Sequence, residues 1–228
     1  VLTPDYLRQA GYAIGQTKSY IDSGFLQSWD DVYGSTELGT NNGNKLPGDF
    51  NIIDFNADGV IDSNDRAPYQ YSSIPQNTYN ATVGFEWKGF SCFVQFYGVN
   101  NVTREVTFPT FQGASNVAYV EGNYWTKNGS GAIPYPRWTT KTDESASGTR
   151  YQFDGSYVRL KNAEISYSFQ NNWVKKLGMK SCRLYLNGDN LLLWTKMPDD
   201  RESNFSGGSG SGAYPTVRRF NLGIDITL

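Results

Sequence analysis

The segment Asp54-Phe55-Asn56-Ala57-Asp58-Gly59-Val60-Ile61-Asp62-Ser63-Asn64-Asp65 sets oxygen-bearing groups at the spacing of a calcium loop. Such a loop takes its ligands from positions 1, 3, 5, 7, 9 and 12, the seventh through a backbone carbonyl, with glycine at position 6 for the sharp turn. Asp54, Asn56 and Asp58 fill positions 1, 3 and 5, and the Val60 carbonyl stands at 7. Asp62 stands at 9, directly or through water, and Asp65 at 12, with Gly59 at the turn. Aspartate at position 12 reaches less far than the usual glutamate. Ile61 is expected to point inward and anchor the loop. Pro68 soon blocks a following helix, so the expected Ca²⁺ is structural: it would rigidify a loop and not switch a helix pair. The same composition also fits an acidic, Asx-rich turn without metal.

Other reactive constellations are sparse. There is no histidine, which removes the triads, the zinc helices and most general acid–base chemistry near neutral pH. Two cysteines, Cys92 and Cys182, make neither a disulfide framework nor a four-cysteine zinc site. Asp199, Asp200 and Glu202 cluster in a Gly/Ser-rich loop, where a glycosidase pair and a solvated loop are both conceivable. Tyr124-Trp125, Tyr135 and Trp138 could stack on sugars or pack the loop on itself. No catalytic group stands out, and the reading is of a non-enzyme.

These groups must be carried by strands. Charged residues are 18% and aromatics 15%, with 20 basic against 22 acidic side chains. That aromatic content excludes a disordered chain. The absence of a basic stripe excludes a nucleic-acid partner. No apolar run approaches the ~18 residues of a transmembrane helix, and Val1-Leu2-Thr3-Pro4 does not open a signal peptide. Period-two alternation dominates.

Thr78 to Lys88 places Tyr79, Ala81, Val83, Phe85 and Trp87 on one face. Lys88-Gly89 turns tightly into a strand with Phe90, Cys92, Val94 and Phe96 aligned, a hairpin. Tyr157 to Phe169 changes parity midway, from Val158 and Leu160 to Ala163, Ile165, Tyr167 and Phe169, which predicts a β-bulge near Lys161-Asn162. Cys182, Leu184, Leu186, Leu192 and Trp194 share the next face; Phe220, Leu222, Ile224, Ile226 and Leu228 share the last. One helical turn is expected at Trp173 to Leu177, ended by Gly178. Residues 8–26 hold apolar and aromatic positions without sustained alternation.

Short connections after Lys88 and at 170–180 alternate with long ones at about 100–150 and 195–215, the asymmetry of an outer-membrane β-barrel. A soluble antiparallel sandwich has the same alternation. Five good strands do not close a transmembrane barrel, which needs about eight, so the chain reads as a piece of something larger.

Several segments then resemble, in order, the SusC/RagA outer-membrane transporters. They are Gly48-Asp49 with the 54–65 loop and Arg66; Tyr124-Trp125-Thr126, Asn128 and Pro136-Arg137; Asp154 to Asn162; Leu184 to Leu192; and Tyr214-Pro215, Arg218 and Phe220 to Leu228. The family usually ends in phenylalanine where Leu228 stands.

The resemblance implies an all-β fold: an antiparallel transmembrane β-barrel segment, the C-terminal strands of a barrel of about 22, with long extracellular loops. Residues 1–77 would be an extracellular loop region holding the calcium-type loop, and 78–228 the C-terminal barrel strands. It further implies TonB-dependent import of oligosaccharides or peptides across a Gram-negative outer membrane. The partners would be a SusD-like surface lipoprotein, the rest of the barrel and plug, TonB through that missing part, and outer-membrane lipid. The alternative is a soluble extracellular calcium-stabilised β-domain that binds glycans or mediates adhesion.

Overall fold

Alternating side chains at 77–100, 157–169, 181–195 and 219–227 become one sheet. The computed structural model describes residues 4–105, 124–127, 131, 148–169, 172–197 and 216–228. Thirteen strands are described in chain order. Six short ones come first: β1 Gln16–Tyr20, β2 Asp22–Phe25, β3 Glu37–Leu38, β4 Phe50–Ile52, β5 Val60–Ile61 and β6 Arg66–Ser72. The others are β7 Asn77–Trp87, β8 Phe90–Asn100, β9 Thr103–Glu105, β10 Gln152–Asp154, β11 Tyr157–Phe169, β12 Ser181–Thr195 and β13 Arg219–Thr227. The helices are α1 Trp29–Gly34 and α2 Asn172–Lys176.

The five strands expected from alternation form the main sheet, ordered β13-β12-β11-β8-β7 and antiparallel throughout. Lys88 and Gly89 both have positive φ, 46° and 87°, as a two-residue turn matching the right-handed twist of its strands requires. The parity change is where it was expected. Between the same two levels of the sheet, β8 runs from Val94 to Phe96, β11 from Leu160 to Ala163 and β12 from Gly188 to Leu192. Lys161 is thus an extra residue relative to β8, and β12 gains another around Asn190, whose φ is 55°. The two insertions keep the alternating apolar sets before and after them on one face. The strand order keeps the two cysteines apart: Cys92 pairs with Ile165 and Cys182 with Phe169, on opposite sides of β11, and both are free thiols.

Residues before β7 form three two-stranded pairs, β1–β6, β2–β4 and the parallel β3–β5. The core of this part is Tyr20, Leu38, Phe50, Ile52 and Ile61, closed by Tyr151 from just before β10. Arg150 lies 4.8 and 5.2 Å from the Phe25 and Phe50 rings and pairs with Asp22 at 3.0 Å. This part attaches at the Asn77/Asn100 end of the sheet, opposite the Lys88–Gly89 turn. There Val99, Val102, Tyr157 and Met197 make a second small core.

The α1 turn was not expected. Its apolar residues have no partner face to give a periodicity, and it is held locally by a capping box between Ser28 and Asp31. The short strands β1 and β2 were also missed, because four or five residues are too few for alternation to register. At α2 the helix ends as expected: Gly178 has φ 78°, and the N–H groups of Gly178 and Met179 donate to the Lys175 and Val174 carbonyls.

The apolar sheet face and the calcium-type loop

The main sheet separates its side chains by chemistry. One face carries the apolar set, and nothing among the described residues covers it. Trp87, Val83, Leu186, Phe220, Leu222 and Ile224 are 52–74% exposed, values a soluble core strand does not show. A contiguous apolar patch of five strands far exceeds the few hundred Å² usual on soluble monomers. Its height is informative. Tyr79 and Trp87 are eight residues apart on β7, or about 27 Å of strand. Tilted by the 35–45° usual in membrane barrels, that is about 20 Å along the membrane normal, against an apolar band of about 25 Å. Aromatics sit near both limits: Tyr79, Phe96 and Trp194 at one, and Trp87, Phe90, Tyr167 and Phe169 at the other. Such paired aromatic belts mark the two interfaces of a bilayer.

The opposite face is a hydrogen-bonded polar surface. Arg183 donates to Glu164, to Asp225 at 3.2 Å and to Ser166 at 3.2 Å. Asn187 Nδ2 donates to the other Glu164 oxygen at 3.4 Å, and Asn221 donates to Asn187 at 2.9 Å. Gln95 donates to Asn80 at 3.2 Å. Polar residues that alternate with the apolar set thus meet across strands. The Glu164–Arg183 pairing was not foreseen, although opposite charges at matched polar positions were its available signal. Aromatics also occupy this face, at Phe93, Tyr97 and Tyr185. Tyr185 lies over Gly223: a Cβ there would come within 2.3 Å of its ring. The missing side chain makes room for the ring.

In the 54–65 loop the expected residues are brought together as a turn bonded to its own backbone. Asp54 accepts from the N–H groups of Asp58 and Gly59 at 3.2 and 2.7 Å, and Asn56 Oδ1 from Asp58 at 3.0 Å. Asp58 accepts from Val60 N–H at 3.0 Å and from Asn56 Nδ2 at 2.9 Å. Asp62 accepts from Asn64 N–H at 2.7 Å. Asp65 is fully buried and accepts from Phe55 and Asp62 N–H, both at 2.7 Å. The positions 1, 3 and 5 therefore line the turn, Asp62 caps the next turn, and Asp65 fastens the two ends of the loop. Among the described residues no three Asp, Glu, Cys or His side chains gather as a metal cage. Ile61 is buried in the loop-region core, as its position implied. Tyr6 stands beside the loop, its hydroxyl donating to the Asn64 carbonyl at 2.6 Å and its ring 4.9 Å from Phe55. Burial, then the charges of Asp65, Asp58, Asp62 and Asp54, push the Tyr6 phenol above its ordinary value.

Trp125 is buried and donates to Gln27 at 3.1 Å, and Tyr124 packs on the core of the loop region. These two rings pack the loop on itself. Tyr135, Trp138, Asp199, Asp200 and Glu202 lie outside the described residues.

No family model matches the chain. It is 29% identical to TonB-dependent receptor P3 of Formosa agariphila, over 95% of this chain and 22% of that protein. It is 27% identical to TonB-dependent receptor P26 of the same organism, over 76% of this chain and 19% of that one. The chain thus spans about a fifth of the length of these relatives. Its fold matches the RagAB peptide importer in the open-open state with a TM-score of 0.61 and 18% identity, over 92% of this chain and 22% of that one. A structure of the RagAB peptide transporter gives 0.61 at 19% identity, over the same shares. With the ordered motifs and the two-faced sheet, the chain is similar to a portion of TonB-dependent receptors and shares the fold of part of the RagAB structures.

Proposed function

We propose that this chain forms adjoining C-terminal strands in the wall of a transmembrane β-barrel of about 22 strands, in a TonB-dependent importer. The observation that carries the reading is the single apolar face, covered by none of the described residues, that runs across five strands. Its polar reverse is bonded side chain to side chain, as a water-facing lumen wall would be. A soluble sandwich would bury the apolar face under a second sheet. The chain's role is that of conduit and partner surface, without bond-making chemistry. Energy for opening comes from TonB through a plug elsewhere in the protein, and a SusD-like lipoprotein covers the extracellular mouth. The cargo class is oligosaccharide or peptide.

In this reading the residues before β7 are extracellular, since they attach at the long-connection end of the sheet, and the Lys88–Gly89 turn is periplasmic. Single cysteines at Ser63 and at Lys88, placed in the full-length transporter lacking Cys92 and Cys182, test the orientation. A membrane-impermeant maleimide on whole cells should label position 63 and not 88. Labelling at 88 alone would reverse the topology, and equal labelling would remove the membrane-spanning sheet.

Calcium at the 54–65 turn belongs to the same proposal, as a structural staple of an extracellular loop. Support comes from the ligand types at the required positions and from the negative field felt at Tyr6. Asp54, Asn56, Asp58 and the Val60 carbonyl would hold the ion, with Asp62 direct or through water. Asp54 and Asp58 would exchange the N–H groups they now accept from for the cation. Asp65 would join only by releasing the N–H groups of Phe55 and Asp62.

A further inference from the structure

We propose that the short-turn rim of the sheet binds the headgroups of anionic phospholipid in the membrane leaflet it faces. The proposal rests on the barrel reading above and goes beyond it. Lys88 stands in the β7–β8 turn, Lys175 and Lys176 end α2, and Lys180 precedes β12. All four are exposed. The fold sets them in one row. The Ser168 N–H donates to the Gly89 carbonyl at 2.7 Å, which joins the first turn to the end of β11, and the Lys180 N–H donates to the Thr227 carbonyl at 2.7 Å, at the end of β13.

Among the described residues the row is not neutralised by ion pairs. Residues 170–180 contain no Asp or Glu. Among the described residues none of the four lysines sits in an ion pair, and Asp225, the acid near this rim on β13, is committed to Arg183. Glu86 is on the polar face, turned from the lipid side. The opposite end has the reverse sign: residues 1–77 hold ten acidic and four basic side chains, a net of -6.

Directly beside the lysines on the apolar face is the aromatic belt of Trp87, Phe90, Tyr167 and Phe169, with Lys88 Nζ 5.0 Å from the Trp87 ring. A belt fixes where the hydrocarbon ends, so cations just beyond it fall at headgroup phosphate depth. Exposed ammonium groups there attract anionic lipid, an interaction that decays within a Debye length. Charge complementarity thus selects anionic over zwitterionic phospholipid as the occupant.

The test uses the full-length transporter in bilayers of phosphatidylcholine and phosphatidylglycerol, with spin-labelled forms of each lipid reporting motionally restricted boundary lipid. Wild-type protein should prefer phosphatidylglycerol by about threefold or more. The preference should vanish in a variant combining Lys88→Gln, Lys175→Gln, Lys176→Gln and Lys180→Gln, and also near 1 M salt, where the screening length is about 3 Å. Arg218→Gln, a charge removal at the long-loop end, should leave it unchanged. A folded, inserted wild type without the preference overturns the proposal, as does a preference kept in the fourfold variant. Wild-type protein that fails to insert at all would instead overturn the barrel reading on which it stands.

Discussion

Val94 and Gln95 are neighbours on β8 at the same depth, yet they face opposite ways, and exchanging each for arginine isolates what each face meets. Val94 lies midway between the aromatic belts, paired with Val83 on β7 and Ala163 on β11. An arginine there meets hydrocarbon, at a cost of about 2–4 kcal/mol at the midplane. That lowers the folding equilibrium constant roughly 30- to 900-fold. Gln95 faces the polar side, where its amide donates to Asn80 at 3.2 Å. Gln95→Arg keeps a donor in a wet surface and forfeits at most one hydrogen bond, about 0.5–1.5 kcal/mol. Urea unfolding of the full-length transporter in lipid bilayers reads both. Val94→Arg should be the worse variant by at least about 0.5 kcal/mol. Equal costs, or a tolerated Val94→Arg, would refute a lipid-facing surface.

Gly223→Ala on β13 should force the Tyr185 ring of β12 off its place over residue 223, since the new Cβ would stand 2.3 Å from the ring; adding Tyr185→Ala should recover much of the loss in the same unfolding assay. In α1, the Ser28 hydroxyl and then the N–H groups of Gln27 and Ser28 hold the Asp31 carboxyl below its ordinary value. A depressed carboxylate stabilises the folded form above its unfolded pKa, and the contribution fades as pH falls through the lowered one. The protection factors of residues 29–34 against hydrogen exchange should therefore fall below about pH 4, and Ser28→Ala should weaken the turn by about 1 kcal/mol at neutral pH. Replacing Asp54 and Asp58 together by alanine should abolish calcium-dependent protection of residues 54–65 in hydrogen exchange and leave β7 to β13 unchanged. If the wild-type loop shows the same exchange in calcium and in chelator, the ion is not part of the fold.

The strands of the main sheet were legible because their physics is local and repetitive. Alternation from Tyr79 to Trp87 or from Phe220 to Ile226 names a face without any knowledge of neighbours, and even the bulge at Lys161 announced itself as a broken parity. Their pairing order was partly legible, since each strand pairs with the one before it through its connection. What alternation could not show is which polar residues meet. Glu164, Arg183 and Asp225 come from three strands, and only the register brings them together. The loop region was the least legible. Tyr20, Phe50, Ile61 and Tyr151 reach one core from separate short segments, an arrangement that no sequence period encodes. In the calcium-type loop the residue types were evident, but not that Asp65 would be buried and spent on backbone N–H groups.

The most direct measurement of the central claim is collisional accessibility along β12. Single spin labels at positions 183 to 187 in the full-length transporter, reconstituted in bilayers with Cys92 and Cys182 replaced by serine, would be relaxed with oxygen and with a water-soluble nickel chelate. A membrane wall with Leu184 and Leu186 in lipid requires oxygen access to peak at 184 and 186, and nickel access at 183, 185 and 187. Absence of that two-residue alternation, or nickel access at 184 and 186, would contradict it.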